Sequence, residues 1–204
     1  MIAIIDYGLG NVRAFSNVFK KSNIPAVIVK KAEDLKNATK VILPGVGAFD
    51  QAIQMLDNSG MRQALDEMVL QRHLPVLGIC VGMQLLACSS EEGSLPGLGW
   101  IDGEVKRFQP SAFKDSMRVP HMGWNNIRPV KDNGLLKSLG SDARFYFLHS
   151  YYMHCNNIED VIAETEYGGE FACAVNHGNI YGVQFHPEKS HQWGIQLLKD
   201  YAEL

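Results

Sequence analysis

The sequence lacks the long apolar runs, cysteine pairs and basic clusters that mark several large classes of protein. No stretch approaches the roughly 18 apolar residues of a membrane-spanning helix. The formal net charge is only −3, and no run of Lys or Arg suggests a nucleic-acid surface. The cysteines at positions 80, 88, 155 and 173 form no C-x-x-C pair and no metal-type spacing. These absences disfavour a membrane protein, a nucleic-acid binder and a disulfide-stapled domain.

The first residues indicate a buried strand and not a secretory signal. No basic segment precedes the apolar run, and Asp6 interrupts it. We therefore expect a cytoplasmic protein whose cysteines are free thiols.

Short apolar runs alternate with amphipathic stretches through the first half of the chain. We predict strands at Ile2–Ile5, Ala26–Val29, 41–43 and 76–79, with helices at Val12–Lys21, across 49–72 with a break near residues 59–60, and from about residue 83. From 98 to about 130, and again from 144 to 185, strands follow one another until a last helix at His191–Glu203. The pattern predicts an α/β fold in one domain, 1–204. Its single open mixed sheet would have a parallel core, an antiparallel extension and helices on both faces.

The segment Gly78-Ile-Cys-Val-Gly82 has the pattern G-x-C-x-G between a predicted strand and a predicted helix. A nucleophile elbow requires this context, because a sharp turn there exposes the central side chain. The helix N-terminus favours a thiolate at Cys80, and the Val81 N–H is placed to hold an oxyanion. The alternative interpretation is a buried structural cysteine, which needs no flanking glycines.

A nucleophilic cysteine needs a base, and His186 is the best candidate among seven histidines. It ends an apolar run and is followed by Pro187 and Glu188. In extended backbone these positions lie roughly 7 Å apart on one side, so Glu188 can orient the imidazole. Alone, the motif also fits a strand end with a solvated Glu.

The other histidines carry weaker signals. We expect His73, His177 and His191 at the surface. A metal site from His149, His154 and Cys155 is disfavoured, because these residues mix both faces of a strand.

Two glycine-rich loops remain. Pro44-Gly-Val-Gly47 follows a predicted strand and fits either an oxyanion donor or a tight turn equally well. Gly8-Leu-Gly-Asn11 lacks the third glycine of a dinucleotide fingerprint and the lysine of a P-loop, so we expect no nucleotide site.

Together these motifs resemble those of the class I, triad-type glutamine amidotransferases. The resemblance rests on Gly78-Ile-Cys-Val-Gly-Met-Gln84 and His186-Pro-Glu188. Further segments resemble the glutaminase subunits of imidazole glycerol phosphate synthases: Asp6-Tyr-Gly-Leu-Gly-Asn11, Pro44-Gly-Val-Gly47, Val119-Pro-His-Met-Gly-Trp-Asn125 and Phe147-Leu-His-Ser-Tyr151.

The resemblance implies a role for each matching residue. Cys80 would be the nucleophile, His186 the base and acid, and Glu188 its orienting partner. Gln84, Ser150 and Tyr151 would contact glutamine. Val81 and the Gly45-Val46 peptide would supply oxyanion N–H groups. Asn11, Trp124, Tyr146 and Lys189 would face a partner.

The implied partner is a (β/α)8-barrel cyclase subunit that forms a heterodimer with this chain and receives ammonia through an internal channel. The chemistry would make imidazole glycerol phosphate and AICAR in histidine biosynthesis, with no metal or organic cofactor. The alternative pathways are anthranilate, aminodeoxychorismate and pyridoxal phosphate synthesis, against which residues 120–124 argue. A different class of function, a flavodoxin-like binding module without catalysis, also stays open.

The chain itself indicates a need for a partner. A glutaminase fold would use all 204 residues and leave no synthetase domain. Trp124 and Met122 lie in a turn-rich segment, where an exposed aromatic suits an interface. The alternative is that Trp124 fills the antiparallel part of the core.

Overall fold

The computed structural model describes residues 1–109 and 118–204, and its first half alternates strands with helices. The strands are β1 (Ile2–Ile5), β2 (Ala26–Val29), β3 (Lys40–Gly45) and β4 (Val76–Cys80). The helices are α1 (Val12–Lys21), α2 (Phe49–Asn58), α3 (Arg62–Asp66), which continues as a π-helical turn over Glu67–Gln71, and the single turn α4 (Val81–Gln84). β1 pairs in parallel with β2 and β3, and β3 pairs in parallel with β4. The predicted parallel core is confirmed.

The second half adds mostly antiparallel strands and ends in a helix. Its elements are β5 (Ser89–Ser90), β6 (Gly103–Arg107), β7 (His121–Asn126), β8 (Arg128–Pro129), β9 (Arg144–His149), β10 (Tyr151–Cys155), β11 (Val161–Glu166), β12 (Glu170–His177), β13 (Ile180–Val183) and α5 (His191–Glu203). The main sheet runs β2-β1-β3-β4-β13-β12-β10-β6-β5, with β11 and β8 joined through β12. β13 is parallel to β4 and antiparallel to β12, so the sheet changes from parallel to antiparallel next to the strand that carries Cys80.

Local sequence explains why α1 forms where it does. Asn11 caps the helix by accepting a hydrogen bond from the Ala14 N–H, and two lysines occupy the last turn. Phe15 and Phe19, one turn apart, are buried against the sheet. The bounds of β1, α1, β2 and α5 match those predicted from the sequence.

Three local predictions need correction, and part of one region is not described. β7 and β9 pair with each other as a separate two-stranded sheet instead of extending the main one. The helix after Cys80 begins at Val81 and not near residue 83, because the elbow turns directly into it. The strand predicted at 41–43 extends over Lys40–Gly45. Within the region predicted as antiparallel, residues 110–117 lie outside the described ranges.

None of the helices in the described ranges combines the length and apolar character that crossing a bilayer requires.

Candidate active site

Cys80 adopts the strained backbone expected of an elbow. It ends β4 with φ +55° and ψ −113°, immediately before α4. A positive φ is uncommon in a residue other than glycine, and such strain is concentrated at functional sites. The side chain is nevertheless mostly enclosed, with 4% of its surface exposed.

Glycines around Cys80 are required by close backbone approach. A Cβ at Gly78 would lie 2.6 Å from the carbonyl oxygen of Gly82. A Cβ at Gly82 would clash with the Leu43 carbonyl, and one at Gly45 would clash with the Gly82 nitrogen. The flanking glycines of the motif therefore allow β3, β4 and α4 to meet at the elbow.

His186 and Glu188 form a buried pair beside Cys80. His186 Nδ1 lies 2.9 Å from Glu188 Oε1, and both side chains are at most 4% exposed. Burial lowers the pKa of His186, but hydrogen bonds to Cys80 and Glu188 and the charges of these two groups outweigh it and raise the pKa to about 10. The imidazole is thus held between thiol and carboxylate, as a nucleophile and its base require.

The route by which Glu188 reaches His186 differs from the predicted extended backbone. β13 ends at Val183, and Pro187–Lys189 forms a 3-10 turn that brings the carboxylate back to the ring. Among the described residues, Glu188 Oε2 is buried and makes no hydrogen bond.

Two more groups contact the sulfur. Gln184 Nε2 lies 3.7 Å from Cys80 Sγ, and the Leu148 carbonyl oxygen lies 3.9 Å from it. Sequence reasoning missed Gln184, although a glutamine inside the apolar run 180–185 was the available signal. Tyr7 is also near; burial and the proximity of Cys80 raise its pKa far above the usual range.

A cavity of about 310 Å³ opens in front of the sulfur. Its lining includes these residues predicted from the sequence: Cys80, Val81, Val46, Gln84, Ser150, Tyr151, His186 and Lys189. The predicted nucleophile, base and substrate contacts therefore meet at one place. Glu92 also lines the cavity and was missed, because a Glu in a loop carries no distinguishing pattern.

Val81 and Val46, the predicted oxyanion donors, both line the cavity. Val81 is the first residue of α4, so its N–H has no acceptor within the helix. Gly45 is the β3 residue that pairs with Cys80, and Val46 follows it at the cavity, 40% exposed. Gly47 has φ +90°, a conformation that favours glycine.

A pair of buried histidines lies at the cavity wall: His149 lines the cavity, and His121 contacts it. His149 Nδ1 donates to the Tyr151 carbonyl at 2.8 Å, and His149 Nε2 lies 3.0 Å from His121 Nδ1. The His121 ring stacks on Tyr167, with 4.0 Å between centroids. Burial lowers the pKa of His149 to about 3 and the pKa of His121 to about 4. Both rings are therefore neutral at physiological pH.

The disfavoured metal site does not assemble. His149 is buried and engaged as described, whereas His154 is exposed on the following strand. Within ranges 1–109 and 118–204, no three His, Cys, Asp or Glu side chains are grouped to hold a metal.

The predicted partner-facing residues lie at or near the surface around the cavity. Trp124 lies on β7 and is 43% exposed, which contradicts the alternative of a core-filling role. Its ring is parallel to that of His191 with 5.3 Å between centroids, and Tyr146 meets it edge-on. The Lys189 ammonium lies 5.7 Å from the Tyr146 ring centre. Asn11 is exposed at the start of α1, which contacts the 187–189 turn.

Comparison with known proteins gives full-length matches. The family model for class I glutamine amidotransferases matches residues 3–202. Imidazole glycerol phosphate synthase subunit HisH of Bdellovibrio bacteriovorus is 54% identical over 204 residues, covering 100% of both chains. The subunit HisH of Leptospira interrogans is 53% identical, and HisH 2 of Pseudomonas aeruginosa is 45% identical, each with the same full coverage.

Solved structures agree on the fold. A glutamine amidotransferase crystal structure has a TM-score of 0.75 at 20% identity, covering 99% of this chain and 97% of that one. PurLQS from Thermotoga maritima has a TM-score of 0.75 at 14% identity, with the same coverage. At these identities the likeness concerns the fold alone.

Proposed function

The chain belongs to the class I glutamine amidotransferase family, and on that premise we propose that it is the glutaminase subunit of an imidazole glycerol phosphate synthase. It hydrolyses glutamine to glutamate and ammonia and passes the ammonia to a cyclase partner in histidine biosynthesis. The observation that best supports the catalytic part is the strained Cys80 at the head of a cavity, beside the buried His186–Glu188 pair.

In the proposed first half-reaction, His186 takes the proton of the Cys80 thiol, and the resulting thiolate attacks the γ-carboxamide carbon of glutamine. Charge develops on the carboxamide oxygen, which the N–H groups of Val81 and Val46 stabilise. His186 then gives its proton to the departing nitrogen, so ammonia leaves and a γ-glutamyl thioester remains. Glu188 accepts the Nδ1–H hydrogen bond at 2.9 Å and keeps Nε2 directed at the reacting atoms.

The second half-reaction reuses the same histidine. His186 takes a proton from water, and the resulting hydroxide attacks the thioester carbon. The carbon–sulfur bond breaks, glutamate is released, and the Cys80 thiolate regains a proton from His186. No metal or organic cofactor takes part in either step.

We propose that the cavity holds glutamine by its polar ends. Ser150, Tyr151 and Gln84 line one side of the cavity. Glu92 Oε2 accepts from the Phe49 N–H at 2.9 Å, and its Oε1 would accept from the α-ammonium group. Gln84 uses its amide nitrogen for the Tyr151 carbonyl and Gln184, which leaves its amide oxygen to accept from the substrate.

The proposed partner is a (β/α)8-barrel cyclase that docks over the cavity mouth as a heterodimer. Exposed apolar side chains support this: Met122 is 61% exposed, Trp124 43% and Leu148 36%. Asn11, Tyr146 and Lys189 would complete the contact. The single domain over 1–204 and the cytoplasmic location are parts of the same proposal.

The proposal is tested by supplying the partner. We expect capture of this chain from its native cell to retain the cyclase, identified by mass, and expect glutamate release to rise when the two are mixed. A chain that binds no cyclase, or whose hydrolysis the cyclase leaves unchanged, would contradict the assignment.

A further inference from the structure

The Cys80 sulfur has a polar neighbour that the triad leaves without a role. Resting on the proposed function, we propose that Gln184 is an auxiliary catalytic residue whose side-chain N–H donates to Cys80 Sγ and stabilises it as a thiolate. Gln184 is 0% exposed, and its Nε2 lies 3.7 Å from the sulfur. The side chain is therefore shielded from bulk water, so its amide group needs partners within the protein.

The orientation of the Gln184 amide follows from a backbone carbonyl. The Tyr151 carbonyl oxygen can only accept, so the Gln84 atom 3.1 Å from it must be the nitrogen. That same nitrogen lies 3.1 Å from the Gln184 amide, which must therefore present its oxygen to Gln84. The Gln184 nitrogen is left facing Cys80, and the sulfur is its acceptor among the described residues.

The Tyr151 carbonyl is itself held in place. His149 Nδ1 also donates to it at 2.8 Å, and His149 Nε2 in turn contacts His121. Because His149 is neutral and Nδ1 carries its proton, this carbonyl has a fixed direction. Tyr151 and Gln84 thus act as positioning residues for the Gln184 N–H.

The second contact of the sulfur explains why a donor is needed. The Leu148 carbonyl, 3.9 Å away, can accept only from the protonated thiol, so it favours S–H over S⁻. The Gln184 N–H can donate to the sulfur in either state and does so more strongly to the anion. Gln184 therefore counters the Leu148 carbonyl and shifts the balance toward the nucleophile.

Other ionisable groups face the sulfur or its cavity, and neutral variants of Gln184 leave their charges unchanged. His186 and Tyr7 interact with Cys80 directly, and Glu188 does so through His186. Glu92, His149 and Lys189 line the same cavity. A difference between the wild type and Gln184→Met therefore reports the lost amide.

The test is the pH dependence of Cys80 alkylation by iodoacetamide in the full chain. It is made in a Cys88→Ser background, because Cys88 is the exposed thiol whereas Cys155 and Cys173 are buried. We expect Gln184→Met to raise the midpoint of alkylation by about one pH unit, the effect of losing one hydrogen bond to a charged group. Gln184→Glu, which keeps the shape and replaces the donor by an acceptor, should raise it further. Gln71→Met, at an exposed glutamine, is the matched control and should leave the midpoint unchanged.

Glutaminase activity gives a second readout that loss of packing would not produce. At neutral pH, kcat of Gln184→Met should fall by about tenfold and recover as the pH rises past the new midpoint. A folded Gln184→Met or Gln184→Glu protein with the wild-type midpoint would overturn the proposal. If Gln184→Met fails to fold, Gln184→Leu decides, because it is also neutral and also lacks the amide donor. Because alkylation needs no glutamine turnover, this result is separate from the outcome for the proposed function.

Discussion

The buried pair of His121 and His149 should make the protein less stable in mild acid. Their pKa values are lowered by burial to about 4 and about 3, whereas an unfolded histidine titrates near 6.5. The stability that depends on these neutral histidines is therefore present above pH 6.5 and is lost as the pH falls. The reason is that the unfolded chain binds protons at these two histidines at a pH where the native chain does not.

The size of the effect follows from the pH interval. Between pH 6.5 and pH 5, each histidine costs the native state about 1.6 kcal/mol, so the pair costs about 3 kcal/mol. That loss is a large part of the roughly 5–15 kcal/mol by which domains are stable. His121→Gln removes one of the two titrating groups and should reduce the loss to about 1.6 kcal/mol.

The assay is urea unfolding at pH 7.5, 6.5, 5.5 and 5.0 for the wild type, His121→Gln and His154→Gln. His154 is exposed on β10, so its substitution is the matched control and should leave the pH dependence unchanged. The quantity compared is the slope of the unfolding free energy against pH. The absolute values are not compared, because His121→Gln also lowers stability at every pH by leaving His149 Nε2 without its donor. Parallel curves for the wild type and His121→Gln would refute the claim that these rings are buried as neutral groups.

Three further predictions concern the triad, the oxyanion hole and the interface. Val46→Pro removes the second oxyanion N–H, so partner-stimulated glutamine hydrolysis should fall about 100- to 1,000-fold, while Cys80 should still be alkylated. A folded variant whose hydrolysis the partner fully stimulates would show that the second donor lies elsewhere. Since the pKa of His186 is raised to about 10, its stabilising contribution is complete below pH 6.5 and is lost as the pH rises through 10. Glu188→Gln should therefore flatten the decline of the unfolding free energy between pH 7 and pH 10, measured by chemical unfolding. A decline equal to that of the wild type would count against the His186–Glu188 pair. Trp124→Ala should weaken partner binding about 30-fold by calorimetry, whereas Ile158→Ala, beyond the far end of β10, should not; equal effects would argue against the proposed face.

The sequence predicted the structure best where residues close together in the chain determine the local conformation. β1 and β2 are short β-branched runs, α1 has a cap and an apolar stripe, and their bounds follow directly. The elbow at Cys80 was also predictable, because its two glycines have no other economical explanation and the backbone contacts require them.

The rest depends on contacts between distant segments. β7 and β9 have ordinary strand patterns, and nothing local distinguishes a separate ribbon from an extension of the main sheet. The sequence predicts a turn-rich segment around Trp124, yet Gly123 and Trp124 both lie within β7. Gln184 looks like an interruption of an apolar run until Gln84 and Cys80, about 100 residues earlier, are brought against it.

The most direct measurement of the central claim separates hydrolysis of glutamine from use of ammonia. Cys80→Ala is combined with the cyclase partner, and product formation is measured with glutamine and then with ammonium salt at high pH. We predict no activity with glutamine and wild-type activity with ammonia, because the sulfur acts only on the carboxamide. Glutamine-dependent activity that survives in Cys80→Ala would contradict the assignment of Cys80 as the nucleophile.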